Sequence, residues 1–215
     1  MLHFNESDLA PYCVPGWHSK LAGLLHVVPY TTPLALRDSI LQYLKASVSP
    51  PDTEVRSTAP PRRNLLFFRG NTKLASCGSG SWGRKYTPPW CGLRSTAIKS
   101  VALANPELAD RLVMQATDRQ SRDDLGSEKG FDEQSYAREL TNAEFCLVPR
   151  GDTASCRRLF EALVAGCVPV IVSDTITLPF KGILDWSKFS VQISESAFLA
   201  DPIAVYRALE GRNAS

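Results

Sequence analysis

Residues 145–174 read FCLVPRGDTASCRRLFEALVAGCVPVIVSD, and their hydropathy pattern decides the fold. The stretch 145–148 is a short, continuous apolar run. Residues 155–166 have helical character and stop at Gly166, a residue suited to a helix C-terminus. Residues 168–172 (VPVIV) form a second continuous apolar run. Strand, loop, helix, turn and strand in this order make a βαβ unit. Strands without apolar–polar alternation are buried on both faces, as in a parallel sheet covered by helices on each side. Such sheets bind ligands beyond the carboxyl ends of their strands. Here that end carries Pro149-Arg150-Gly151-Asp152-Thr153-Ala154-Ser155, in which Thr153 or Ser155 is placed to cap the helix.

The same alternation extends outward. Strands are expected at 24–28 (LLHVV), 64–69 (NLLFFR, ending at Gly70), 112–116 (LVMQA) and 189–193 (FSVQI). Helices are expected at 34–45, where Leu34, Ile40, Leu41 and Leu44 keep helical spacing, at 93–104, at 132–142 and at 195–210. Asn105-Pro106 stops the second of these, and the third carries acids in its first turn, as the helix dipole favours. Residues 46–63 and 71–92 are loops rich in proline or glycine, and 118–130 is charged and turn-rich.

Composition limits the alternatives. The chain has 215 residues, 44% of them hydrophobic and 21% charged, with 24 Lys plus Arg against 22 Asp plus Glu. A formal net charge of +2 excludes nucleic-acid binding by bulk charge and an acidic disordered tail. No apolar stretch reaches the ~18 residues of a membrane-crossing helix, and residues 1–18 lack the basic and apolar segments of a signal peptide. The six cysteines show no CxxC spacing, so a zinc site is not indicated. Cys146 and Cys167 lie in apolar runs and read as small core residues. Cys77 and Cys91 flank the second loop and are placed to close it by a disulfide in an oxidising compartment, although spacing does not fix the pairing.

The arginines break a local rule. A helix N-terminus favours acids, yet Arg157 and Arg158 stand in the first turn with Arg150 just before. Guanidinium groups crowded at a positive helix end repel one another unless they share an anion. Amide N–H groups, the dipole and the arginine forks together suit a phosphate or diphosphate. Glu161, three residues after Arg158, is placed for ribose hydroxyls, and the constellation points to a nucleotide diphosphate. Two plainer readings stand beside it: an Arg158–Glu161 ion pair at i,i+3, and a solvated Arg157. Gly78, Gly80 and Gly83 lie in a loop with no helix pattern after them, so a dinucleotide fingerprint is not present.

The sequence resembles the exostosin-like glycosyltransferases. The resemblance is densest over Gly151-Asp152-Thr153, Arg158-Leu159-Phe160-Glu161-Ala162, Ala165 through Asp174, Leu178-Pro179-Phe180, Leu184-Asp185-Trp186 and Lys188 through Val191. It also takes in His26-Val27-Val28-Pro29, Arg63 through Gly70 and Gly92-Leu93-Arg94, and is loose across 46–92. It implies a GT-B architecture, of which this chain holds the donor-binding half: a Rossmann-like parallel sheet over 20–195, an N-terminal remnant at 1–19 and a C-terminal helix and tail at 196–215. It implies inverting sugar transfer from a nucleotide-diphosphate sugar, UDP-linked as the first candidate, to a glycan or glycoprotein acceptor, with no other cofactor. Arg94 and Arg158 would hold the donor diphosphate with Arg150, Ser155 and Arg157 beside them, Glu161 the ribose or sugar, and Gly70 would let backbone approach the donor. No DxD motif occurs, so a metal-bridged diphosphate is not indicated. Cys156 departs from the family's usual serine.

The resemblance places the acceptor site and catalytic base in an N-terminal domain, and about 23 residues precede the matching region, too few for one. The chain therefore reads as a fragment, a shortened gene model or a half-enzyme, with a non-catalytic nucleotide-binding or scaffold subunit of a hetero-oligomer as the alternative. No catalytic residue is identified; His26 reads as a core or edge residue, His3 and His18 as surface residues. Trp186 reads as packing, and Trp82 and Trp90 as loop anchors or sugar-facing rings. By resemblance the location is the lumenal side of the Golgi membrane, with no anchor in this sequence.

Overall fold

Continuous apolar runs become the strands of a single sheet. The computed structural model describes residues 32–47, 62–77, 87–117 and 132–212. Its strands are β1 (Asn64–Gly70), β2 (Leu112–Ala116), β3 (Ala143–Pro149), β4 (Val168–Val172) and β5 (Val191–Ile193). Every pairing is parallel, in the order β2-β1-β3-β4-β5. The helices are α1 (Leu34–Ser47), α2 (Leu93–Lys99), α3 (Pro106–Ala109), α4 (Glu133–Thr141), α5 (Arg158–Val164), α6 (Glu195–Ala200) and α7 (Pro202–Glu210). This is the expected Rossmann-like α/β fold. The strand expected at 24–28, the three histidines, Trp82 and Gly78, Gly80 and Gly83 lie outside the described residues.

Successive strand residues point to opposite faces, and both faces are covered. Phe68, Phe145, Leu147 and Val170 pack with Leu93 of α2 and Tyr206 of α7. Phe67 and Cys146 meet Ile40 of α1, Tyr136 and Leu140 of α4, and Ala162 of α5. Val148 and Ile171 pack with Leu159, Leu178 and Trp186. Trp186 is thus a packing residue, its indole N–H donating to Pro179 O at 2.9 Å.

Two helical expectations need correction, each for a local reason. Residues 93–104 are α-helical only to Lys99, followed by a 3-10 turn at Ser100–Leu103. Asn105 then starts α3, accepting from Leu108 N at 2.9 Å. Residues 195–210 are two helices, because Asp201 accepts from Ala204 N at 2.9 Å and Pro202, lacking an N–H, opens a new helix. Beyond residue 195, Phe198, Tyr206 and Leu209 are buried in the core.

Cysteine chemistry needs the other correction. Cys77 and Cys91 form a disulfide, the bridge that their placement allowed and their spacing left open. Cys146 and Cys167 are buried as expected, at 3% and 2% exposure, but they too are bridged, with Cα atoms 5.8 Å apart. Cys146 faces the α5 side, and the turn at Gly166 (φ +63°) sets Cys167 beside it. That separation is within disulfide reach. At the same end of the sheet Arg62 donates to Ala143 O at 2.7 Å and Ala165 O at 3.0 Å, tying β3 to the end of α5.

Tyr206 gives the fold a pH signature. Its hydroxyl lies 2.9 Å from Ser100 Oγ in the core, and burial pushes its pKa up to about 12, against a weaker opposing effect of the Ser100 bond. The unfolded phenol ionises near pH ~10, so the stability from this group is complete below that pH and is lost as pH rises toward the folded value. The loss is roughly 2–3 kcal/mol. Melting temperature followed across this alkaline window should fall less steeply in Tyr206→Phe than in the wild type; identical slopes would refute the assignment.

Candidate functional site

The strand order reverses between β1 and β3, and in such sheets the crevice beyond the carboxyl ends at that point is the binding position. β1 ends there at Gly70 and β3 at Pro149. Arg158, the first residue of α5, reaches across the gap. Its Nε donates to Arg69 O at 2.9 Å, its Nη1 lies 3.6 Å from Cys156 Sγ, and its guanidinium sits 5.3 Å from the Phe68 ring centroid. A Cβ on Gly70 would stand 2.6 Å from Arg158 Cζ. Glycine is therefore needed at 70 to seat the arginine.

Arg94, on α2, closes the crevice from the other side of the loops. It is 5% exposed. Its Nη1 donates to Asn71 O at 2.8 Å and its Nε to Arg150 O at 3.1 Å, while Nη2 lies 4.0 Å from Cys156 Sγ. Gly151 leaves room for it, since a Cβ there would meet Nη2 at 3.2 Å. Burial lowers the Arg94 pKa, and Arg158 acts in the same direction. For Arg158, burial opposes the charge, but Cys156, Tyr136 and Glu161 outweigh it and the pKa is raised. Among the described residues neither arginine has a carboxylate within salt-bridge distance. Two guanidinium groups thus meet at the Cys156 sulfur, held by backbone carbonyls, and the carboxylates that favour their charge, Asp152 for Arg94 and Glu161 for Arg158, act without direct salt-bridge contact.

Arg150 leaves β3 toward β5. Its guanidinium lies 4.1 Å from the Trp90 ring centroid and 3.5 Å from Glu195 Oε1. Glu195 and Asp174 bond reciprocally, each accepting from the other's backbone N–H at 3.1 and 3.0 Å. Asp152 accepts from Ser76 N at 2.7 Å, which docks the 3-10 turn Ala75–Cys77 on the loop after β3. Two buried polar atoms in this cluster, Arg150 Nε and Ser76 Oγ, have no hydrogen-bond partner among the described residues.

Glu161 is buried, 2% exposed, one turn inside α5. Tyr136 Oη donates to its Oε2 at 2.6 Å and Arg157 Nε to its Oε1 at 2.8 Å. Burial, followed by the neighbouring Glu161 charge, raises the Tyr136 pKa well above the ordinary phenol. The ion pair is therefore Arg157–Glu161 at i,i+4, not Arg158–Glu161, and Arg157 is 59% exposed along the outside of the helix. The helix also starts three residues later than expected. Arg157 occupies the cap position without a side-chain cap bond, and Thr153 and Ser155 bond to one another instead, with Thr153 Oγ1 3.3 Å from both Ser155 O and Ser155 Oγ. That shift turns Arg158 inward and Arg157 outward.

Of the residues singled out in the sequence, Gly70, Arg94 and Arg158 converge on the crevice, Arg150 turns its guanidinium away from it to Trp90 and Glu195, Glu161 stands behind it, and Ser155 and Arg157 lie at its exposed edge. Sequence reading missed Tyr136, Asp152 and Glu195. The one available signal was the Ser-Glu pair after 193, a helix-start pattern; Tyr136 lies 25 residues from its partner, which no local pattern reveals. No three His, Cys, Asp or Glu side chains are grouped as metal ligands among the described residues.

This constellation sits inside a stretch that matches known proteins. The profile of the Exostosin GT47 domain matches residues 24–209. The chain belongs to the exostosin GT47 family. Among its relatives, Exostosin-1b of Danio rerio is 31% identical over 153 residues, covering 69% of this chain and 19% of the relative. The protein named "Probable arabinosyltransferase ARAD1" of Arabidopsis thaliana is 40% identical over 74 residues, 34% of this chain and 17% of the relative. The Exostosin-1 homolog of Caenorhabditis elegans is 40% identical over 72 residues, 34% of this chain and 19% of its own length. The chain thus spans under a fifth of the length of these exostosin GT47 relatives. None of the described helices is long and apolar enough to cross a membrane.

Proposed function

We propose that the crevice between β1 and β3 binds the diphosphate of a nucleotide sugar, UDP-linked as the first candidate, and that the chain is the donor-binding part of an inverting, metal-independent glycosyltransferase. One observation carries this: Arg94 and Arg158 are fixed by backbone carbonyls at the switch point, and among the described residues no carboxylate lies within salt-bridge distance of either. A pair of pre-positioned guanidinium groups suits a diphosphate. Inverting transfer breaks the bond from the anomeric carbon to the diphosphate as the acceptor oxygen bonds to that carbon and its hydroxyl proton passes to a base, a role assigned to none of the described residues, and charge grows on the departing oxygen. Fixed cations at that position stabilise it without reorganising. The arabinosyltransferase name of one relative supports sugar transfer, and the proposed acceptor is a glycan or glycoprotein hydroxyl. Each Glu161 oxygen already accepts one bond and keeps a further acceptor position, so contact with ribose or sugar hydroxyls is compatible with its present partners. Two disulfides fit an oxidising compartment, and the proposed location is the Golgi lumen.

The direct test is thermal denaturation with a panel of nucleoside diphosphates and nucleotide sugars. A ligand at ~100 times its Kd stabilises by about 2.7 kcal/mol, or roughly 5–10 °C for a chain of this size. No shift with any member of the panel would remove the reading.

A further inference from the structure

We infer that the Cys77–Cys91 disulfide is the latch that positions the arginine-bearing loop 150–156. The bridge joins two segments that each grip this loop through the residue next to the cysteine. Ser76, beside Cys77, donates its backbone N–H to Asp152 at 2.7 Å. Trp90, beside Cys91, lies 4.1 Å under the Arg150 guanidinium. Three residues beyond Cys91, Arg94 bonds Arg150 O and Asn71 O and so crosses between the same two segments. Without the covalent bridge, the segments that carry Ser76 and Trp90 are tied by the Arg94 bond to Asn71 O and by the intervening chain, and opening one costs the other less. With it, they open together or not at all. The two disulfides also differ in access: Cys77 and Cys91 are half-buried, whereas Cys146 and Cys167 lie in the core. The latch is the bridge that a reductant reaches first. The consequence for ligand binding rests on the diphosphate reading above; the latch itself does not.

The test compares the wild type with Cys77→Ser/Cys91→Ser, which keeps the 146–167 bridge, by hydrogen exchange and by titration with UDP. Amides over 150–157 should exchange on the order of tenfold faster, with β1 and β4 unchanged. UDP affinity should fall by a similar factor, because apparent Kd rises as the binding-competent fraction falls. Unchanged exchange over 150–157, or acceleration spread evenly over β1 and β4, overturns the latch. Faster exchange in that loop with UDP bound equally tightly by both proteins overturns its effect on binding. Faster exchange with no binding of UDP or of any other member of the nucleotide panel by the wild type supports the latch and sinks the diphosphate reading instead. Should the double variant fail to fold, the wild type treated with a mild phosphine and an alkylating agent gives the same comparison. Cys77 and Cys91 should be labelled before Cys146 and Cys167, and the loop should loosen with that labelling; labelling of the core pair first, or a loop that stays protected, overturns the inference.

Discussion

Arg158→Ala should weaken nucleoside-diphosphate binding by about 100-fold or more, the scale of losing a charge-assisted fork from a desolvated site. It should also destabilise the free protein, because Arg69 O loses the donor it has at 2.9 Å, at a cost of about 1–3 kcal/mol. Arg158→Lys separates the two effects. An ammonium restores the charge but is a point donor without the planar fork, so it should recover part of the binding and little of the geometry. Gly70→Ala reaches the same group from the opposite side. Its new methyl would lie 2.6 Å from Arg158 Cζ, so the guanidinium must leave its seat although its chemistry is intact. Calorimetric titration with UDP, paired with chemical denaturation, reads both quantities. Wild-type affinity in both Arg158→Ala and Gly70→Ala would show that this guanidinium is a strut and not a ligand.

The second large effect concerns the inner disulfide. Replacing Cys146 and Cys167 together by alanine should lower unfolding free energy by ~3 kcal/mol through the freed unfolded chain, with further loss from the buried sulfur atoms removed from between β3 and α5. For a chain of this length that is a fall in melting temperature of about 6–12 °C. Scanning calorimetry of the double variant checks it. A melting temperature within a degree or two of the wild type would mean that packing alone holds this region.

The strands were legible because both-face burial leaves an unmistakable trace: Phe145, Leu147 and Val170 face one side while Cys146 and Ile171 face the other, so no polar alternation interrupts them. The end of α5 was legible as well, since Gly166 takes the positive φ that side chains avoid. Its beginning was not. Thr153 and Ser155 are good caps in isolation, but here each finds the other, and the helix starts at Arg158. Which of two adjacent arginines faces inward depends on that choice of start, so Arg157 and Arg158 could not be told apart by pattern. The Cys146–Cys167 bridge was hidden by its own surroundings, because a cysteine within an apolar strand looks the same reduced or paired. The break at Asp201-Pro202 is written in the sequence as a cap followed by proline, a signal that the reading of 195–210 as one helix passed over. Tyr136–Glu161 and Trp90–Arg150 are tertiary encounters without a local signature.

The pairing of β1 with β3, described above as the site's location, also governs how the chain is made. Asn64 aligns with Ala143, and Phe67 with Cys146, so β1, the earliest of the described strands, waits for a neighbour encoded far downstream. Until then its Leu65-Leu66-Phe67-Phe68 run is an uncovered adhesive edge, the kind of segment that chaperones shield during synthesis.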